Sequence, residues 1–357
     1  MKTIHWLSAN EYDEWDAFVK RHPKGLVYHL SAWKQLLEIA FGHIHGQFLV
    51  LRNGDGQIQA GLPLYAVKSW VLGNRLVSIP FATMCDPLIS SKEEFDLLWP
   101  AIEDVSVKNK TRRIEIRIRR TNTECLPAPL AASTHYKHHY LTLEKSTDEL
   151  FRSFNKSNIS RAIKKAKQEG VIIEERNDEQ SLRVLHSFLV STRRKHSLPP
   201  MPFAFFRAMY QVLSPDHVTL YLAIHEGRPV GGILVSKFKD LWTSEYSGDV
   251  SDSVRGVSQL IYWETIQHAK NSGAANFSFG RTSLDNTGLL THKRRWATIE
   301  EDLTDYISSP NVITGQSHEA PKPGNHSKYD STVKLLIKYS PGLVQKFIGD
   351  FVYRHLG

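Results

Sequence analysis

The chain has 357 residues, 41% of them hydrophobic and 23% charged, with a formal net charge of +8. That length exceeds what one hydrophobic core usually organises, so two domains are expected, and the composition is that of a globular chain rather than a disordered or fibrous one. No apolar run approaches the roughly 20 residues of a spanning helix, MKTIHWLSANEYDEW lacks a signal peptide's apolar stretch, and Cys85 and Cys125 form neither a CxxC nor a disulfide framework, so a cytoplasmic setting is expected. The basic excess favours anionic partners: phosphorylated small molecules, RNA or an acidic membrane face.

From the N-terminus, a strand is expected near Thr3–Leu7, then helices at about 10–20 and 31–41. Strands follow at QFLVLR (47–52), IQAGLPLYAVK (58–68) and RLVSIPF (75–81), then a helix at about 91–108 and a strand RIEIRI (113–118); YLTL (140–143) could pair back. The second half repeats this order. VIIEE (171–175) reads as a strand, 179–196 and 203–213 as helices broken by LPPMP, and 218–224, 230–238 and 241–246 as a three-strand meander. A helix from about Gly256 to Ser272, a strand ANFSFG (275–280), a short helix and a strand near 302–307 complete it.

That order resembles the GNAT acyltransferase fold, and it implies an α/β (α+β) chain of tandem GNAT-like domains, each a mixed sheet flanked by helices. The expected boundaries are 1–144, 145–310 and a third segment, 311–357. In that last segment a Pro/Gly/Ser/Asn-rich linker leads to two amphipathic helices split by Pro341, with Lys334, Lys338, Lys346 and Arg354 among the polar positions. Such a basic tail docks on the body or lies on an anionic membrane, a peripheral contact at its inner face.

Four features could carry chemistry. In NISRAIKKAKQEG, Ile159, Ala162, Ile163 and Ala166 make one helical apolar stripe, which leaves Arg161, Lys164 and Lys165 as a face for a phosphate-bearing substrate or an RNA backbone. The loop SGDVSDSVRG precedes the helix at Gly256, where the GNAT resemblance implies a pyrophosphate-binding backbone. Arg255 and Gly256 are its cofactor-binding candidates, although Asp249 and Asp252 stand beside it. On the meander's last strand, Glu245 or Asp249 could be the base and Tyr246 the acid of acyl transfer to an amine. In FSFGRTSLDNTGLLTHKRRW, Gly280 is expected to end a strand so that Arg281 emerges at its carboxyl end, with Lys293 and Trp296 nearby as substrate-binding candidates.

Two further features read as structural. Arg113, Glu115, Arg117 and Arg119 share a strand face expected to point to solvent, opposite Ile114, Ile116 and Ile118. His43/His45 and His135/His138/His139 read as surface histidines, because no carboxylate joins them at metal-site spacing; no metal is expected.

The closing segment resembles FemAB-related acetyltransferases, especially the group associated with exopolysaccharide and PEP-CTERM systems. Phe279, Gly280, Arg281, Lys293 and Trp296 match its D-F-G-R-[ST]…F-K-x-x-W-G pattern, while Ser278, His292 and Ala297 depart from it. RLVSIPFATMCDPL, SNISRAIKKAKQEGV, SLPPMPFAFFRAM and YWETIQHAKNSGAANF are similar to other segments of that family. The resemblance implies an amide-forming acyl or aminoacyl transferase with no permanently bound cofactor. Acyl-CoA or aminoacyl-tRNA would be its co-substrate, and an amine on an anionic cell-envelope or glycan precursor its acceptor. The alternative is a non-catalytic carbohydrate- or lipid-carrier-binding protein on the same fold.

Overall fold

The computed structural model describes residues 1–119, 131–250, 254–308 and 342–355. The expected linker, the first tail helix, Asp252 and Cys125 lie outside the described residues. The chain forms two compact units: Met1–Tyr136 with Asp302–Tyr329 and Asp350–Gly357, and Lys137–Glu301 with Asp330–Gly349.

Unit 1 begins with β1 (Thr3–Trp6), α1 (Tyr12–Arg21) and α2 (Ser31–Ala40). It continues through β2 (Ile44–Arg52), β3 (Ile58–Val67), β4 (Arg75–Val77), α3 (Lys92–Lys108) and β5 (Arg113–Arg119). β1 to β4 pair antiparallel in chain order, and β5 then pairs parallel to β4. Only that last connection requires a crossover, which α3 provides. Alternate residues fill one face of the sheet, where Leu49, Leu51, Leu62, Leu64, Ile114, Ile116 and Ile118 meet Phe95, Leu98 and Ile102 of α3, while Phe48 on the other face stacks on Trp15 of α1. β4 is shorter than RLVSIPF suggested, since the chain turns away before Pro80, which has no N–H for a ladder, and Phe81 takes a positive φ of 59°.

β5 corrects one expectation. Its charged face is largely withdrawn from solvent, with Glu115 buried and Arg113, Arg117 and Arg119 half-buried, and the segment from Ser78 to Asp86 runs along the strand. Ser78 N donates to Glu115 O, Cys85 N to Arg117 O, and Arg117 N to Ser78 Oγ. Beneath this cover Glu115 holds Arg113 at 2.9 Å and Arg117 at 2.7 Å, and Asp86 holds Arg119 at 2.9 Å.

Unit 2 repeats the plan behind an added N-terminal stretch. β6 (Ala131–Thr142), which starts in unit 1, leads to α4 (Thr147–Ser153), a wide turn (Lys156–Ser160) and α5 (Arg161–Gln168). Then come β7 (Ile172–Arg176), α6 (Glu179–Lys195), α7 (Phe203–Leu213), β8 (Val218–His225), β9 (Arg228–Phe238) and β10 (Leu241–Asp249). α8 (Val257–Asn271) crosses to β11 (Asn276–Ser283), followed by α9 (Thr287–Arg294) and β12 (Ile299–Ser308); α10 (Gly342–His355) closes the described chain. β7 to β10 are antiparallel and β11 is parallel to β10, the same succession as β1 to β5. The α5 stripe of Ala162, Ile163 and Ala166 is buried as its spacing requires, and Gly170 at φ 79° ends that segment.

Candidate functional site

The site in unit 2 begins with an irregularity in β10. Its register against β9 shifts between Ser244 and Tyr246, so one residue is inserted without a partner. A bulge of this kind places two consecutive side chains on one face. Glu245 and Tyr246 therefore both point toward α6 and α7: Ser236 Oγ donates to Glu245 Oε1 at 2.6 Å, and the Tyr246 ring meets Phe206 at 4.8 Å. Ser244 and Ser247 both point the other way, to α8. Their Oγ atoms each lie 2.9 Å from the hydroxyl of Tyr262.

At the same place β10 leaves β11. The two are paired only over Leu241↔Asn276, Trp242↔Phe277 and Thr243↔Ser278, although β10 runs on to Asp249 and β11 to Ser283. A slot opens where they part. Its α8 side is built from Tyr262, whose ring stacks on Phe279 at 5.4 Å and 12° and leans on Trp296 at 5.8 Å. Tyr262 is half-buried, and burial raises its pKa against the opposing bonds from Ser244 and Ser247, so at neutral pH it holds its proton.

The slot adjoins the start of α8. Gly256 caps that helix at φ 98°, and a Cβ there would sit 2.1 Å from the Ala162 carbonyl oxygen, so α5 packs directly on the first turn of α8. Only glycine fits. Arg161, next to Ala162, therefore stands by a helix N-terminus that already attracts anions, and Lys164 and Lys165 follow on the same helix, all three exposed. Asp249 also lies near, beside Gly231 and Val257, and burial raises its pKa against the opposing charge of Lys195. The structure thus places Arg161, Arg255, Gly256 and Asp249 at one helix start, with Lys164 and Lys165 further along α5. It separates them from Glu245, bonded to Ser236, and from Tyr246, which lines a small cavity with His186, Leu189, Val190, Arg193, Met201 and Phe206.

The closing segment is arranged differently from its sequence expectation. β11 does not end at Gly280. It continues to Ser283, with Gly280 inside it at φ 70°. That distortion takes the Gly280 and Arg281 carbonyls out of line, and Lys293 Nζ donates to both, at 3.0 and 3.4 Å. Lys293 is only 5% exposed, so its ammonium ties α9 to β11 rather than offering itself to solvent. Burial brings its pKa down to about 7. Trp296 is fully buried between Phe154 and Phe279, which makes it a wall behind Tyr262 and not a surface for substrate.

Next to it lies a polar cluster that corrects the reading of surface histidines. His138 and His139 are buried on β6, where His138 Nε2 lies 2.8 Å from Ser278 Oγ and His139 Nε2 lies 3.1 Å from Glu300 Oε2. Burial, aided by the positive Lys293, brings the His139 pKa down to about 4. Glu300 also accepts two bonds from Arg294, which hold it near 2. A shallow basin of about 500 Å³ sits at this end of α9, lined by Ser153, Asn155, Thr291, Arg294, Arg295 and Ala297.

Residues 153–294 match the family model described as the acetyltransferase (GNAT) domain. The matched span runs from the end of α4 to the end of α9, and so contains the bulge, the slot and the α8 start. No curated protein matches the chain in sequence. Among solved structures it is similar to FemX, with 16% identity and a TM-score of 0.68 over 88% of this chain and 99% of that one. It is also similar to a tandem GNAT protein from the clavulanic acid biosynthesis pathway (10% identity, TM-score 0.57, 87% and 99%). A third is the C-terminal domain assigned to a lysylphosphatidylglycerol synthetase from Agrobacterium fabrum (14% identity, TM-score 0.56, 86% and 95%). The fold is that of tandem GNAT domains.

Sequence reasoning missed Ser244, Ser247 and Tyr262. Tyr262 lies six residues beyond Gly256 in IYWET, and a hydroxyl in a helix whose other aromatic, Trp263, is buried was the available signal.

Proposed function

We propose that this chain is an acyltransferase that joins an acyl or aminoacyl group to an amine, with unit 2 carrying the reaction. The observation that carries this reading is the slot opened by the β10 bulge, with a protonated tyrosine hydroxyl in its wall and an anion-attracting helix start at its end.

In such a reaction the amine nitrogen attacks the donor carbonyl carbon. A C–N bond forms, the donor's C–S or C–O bond breaks, and the leaving atom must receive a proton. Tyr262 is suited to give that proton, because burial keeps its hydroxyl un-ionised and the two serine hydroxyls fix its position. Asp249, with its pKa raised by burial, is suited to take one from the attacking amine. The phosphates of either donor class, acyl-CoA or aminoacyl-tRNA, suit the α8 start beside Arg161, with Lys164 and Lys165 further along α5. The aminoacyl option gains support from a structural neighbour whose name is that of an aminoacyl-phospholipid synthetase. An amine on a cell-envelope or polysaccharide precursor is the acceptor this reading favours.

One observation supports a binding-only alternative: the Asp249 carboxylate stands beside the helix start that a donor pyrophosphate would occupy. Turnover separates the two readings. Purified protein offered acyl-CoA or charged tRNA with an amine acceptor should form amide, and Tyr262→Phe should lower kcat by about 10²-fold with an unchanged melting temperature. Full activity in the Phe variant would remove Tyr262 from the reaction. No amide with either donor, together with ligand-induced stabilisation, would favour the binder.

A further inference from the structure

Unit 1 carries an exposed apolar tip that the transferase reading does not use. The connection from β3 to β4 turns through Trp70, Val71 and Leu72, which are 81%, 49% and 47% exposed. Phe351 of α10, 52% exposed, lies beside them, its ring 6.3 Å from that of Trp70. Four large apolar side chains held in water at one place are a cost that folding alone does not explain.

The turn is held firmly in this position. Leu72 N donates to Ser69 Oγ at 2.9 Å, closing it locally. Ser69 Oγ lies 3.1 Å from Nδ1 of the buried His355, whose carbonyl accepts from Arg75 Nη2 at 2.9 Å. The Trp70 ring meets His355 edge-on at 5.2 Å. On the other side, Asn74 Nδ2 donates to Asn109 O and Arg112 N to Asn74 O, tying the turn to the end of α3. Gly73, at φ 78°, lets the Arg112 side chain pass over it where a Cβ would clash. Display of the three apolar residues is therefore part of the folded state of unit 1.

What surrounds the tip identifies what it meets. Lys68 precedes the turn, Arg354 precedes His355, and the end of α3 and the residues after it supply Lys108, Lys110 and Arg112; all five are exposed. Asp350 is the acid nearest Phe351 along α10. A tryptophan with two aliphatic neighbours inside a ring of cations suits a lipid headgroup layer. The indole and aliphatic groups enter the interface and the lysines and arginines remain among anionic headgroups. No helix among the described residues is long and apolar enough to cross a membrane, so the contact is with its surface.

We propose that Trp70, Val71, Leu72 and Phe351 form a membrane-docking tip that seats unit 1 on an anionic lipid surface, with Lys68, Lys108, Lys110, Arg112 and Arg354 as its electrostatic collar. The inference goes beyond the transferase reading and does not depend on it.

Sedimentation of the full chain with vesicles tests it. The protein should pellet with vesicles of phosphatidylcholine containing a third phosphatidylglycerol at low salt, and not with phosphatidylcholine alone. Trp70→Ser with Leu72→Ser should weaken binding by at least about tenfold. Lys68→Ser with Lys110→Ser should weaken it by about thirtyfold at low salt, and much less at high salt. These side chains are exposed, so the variants should melt with the parent, and a matched melting temperature assigns the loss to the tip. Three results would overturn the proposal: no pelleting of the parent with anionic vesicles, equal pelleting with neutral ones, or undiminished binding by the Trp70/Leu72 variant. A parent dimer dispersed by Trp70→Ser would also overturn it, since a second copy would then be the occupant. No acyl donor is present in the assay, so its failure leaves the reading of unit 2 standing.

Discussion

The two units share one strand and helix succession but treat buried charge in opposite ways. In unit 1 the cations of β5 are matched by acids: Arg113 and Arg117 meet Glu115, and Arg119 meets Asp86. In unit 2 the buried cation is Lys293, and what it meets is two backbone carbonyls. The difference shows in ionisation. Burial alone would push Glu115 up, yet Arg117, Arg113 and Arg75 hold it down to about 2, whereas burial alone brings Lys293 down to about 7. A matched network is fixed across the physiological range, while an unmatched ammonium sits at the edge of losing its proton. One unit has used its buried charge to define structure. The other keeps a cation whose state depends on the medium, close to the slot at β10 and β11.

The largest effect should come from breaking the matched side. Glu115→Gln keeps the shape and removes the charge, leaving Arg75, Arg113 and Arg117 to face one another under the Ser78–Asp86 cover. Removal of one partner from a buried ion network costs about 3–5 kcal/mol, and denaturant unfolding monitored at neutral pH should show a loss in that range. A loss under about 1 kcal/mol would mean that water reaches the arginines, and the contrast with unit 2 would fail.

Lys293→Met tests the unmatched side, and here the sign depends on pH. The folded-state pKa is depressed, to about 7 against 10.5 in the unfolded chain. Below 7 both states bind the proton, and the cost of burying the charge is present in full. Between 7 and 10.5 the unfolded state holds the proton that the folded state has released, so stability rises with pH. From pH 7 to 9 the parent should gain about 2 kcal/mol relative to the Met variant, read from paired denaturation curves. Parallel curves across that range would show that the amine stays protonated. The Met variant also leaves the Gly280 and Arg281 carbonyls without the amine, which offsets part of its advantage at low pH.

These residues also mark how far the sequence could be read. The repeated element order, the α5 stripe and the Ile114–Ile116–Ile118 core face are local periodicities, and the folded chain follows them. The β5 charges were misread as solvated because the cover over them comes from residues more than 30 positions away, which alternation does not encode. His138 and His139 were misread for the same reason: their neighbours Ser278 and Glu300 lie 140 and 161 residues along the chain. The bulge at Glu245 depends on the register with β9, so no pattern within LWTSEYSGD announced which side chains would share a face. Lys293 was partly legible. Leu290, Lys293 and Trp296 stand at intervals of three, so the lysine lies between two apolar residues, Leu290 one turn back on α9 and Trp296 just past its end, while Arg294 and Arg295 fall outside that series. Read as one of a basic run, Lys293 is a substrate-binding candidate; read by its spacing, it is the buried member of HKRR.

The smallest effect should sharpen the comparison most. α9 carries Lys293 into the core, and its first turn is held by Asn286, whose side chain accepts from Leu289 N at 3.1 Å. Asn286→Ala removes that cap at a cost of about 1 kcal/mol, too little to unfold unit 2 but enough to loosen the helix. If burial is what depresses the lysine, a looser α9 admits water and the Lys293 pKa must rise toward 10.5, shifting the pH-dependent gain in stability to higher pH. The matching change in unit 1 is Ser8→Ala, which removes the capping box that Ser8 and Glu11 form before α1. It should cost a similar amount and leave the pH dependence where it was, since the charges of β5 are held by one another and not by exclusion of water alone. If both cap variants moved the pH dependence equally, it would belong to global stability rather than to Lys293. A shift confined to Asn286→Ala would tie it to the depth at which α9 seats its lysine.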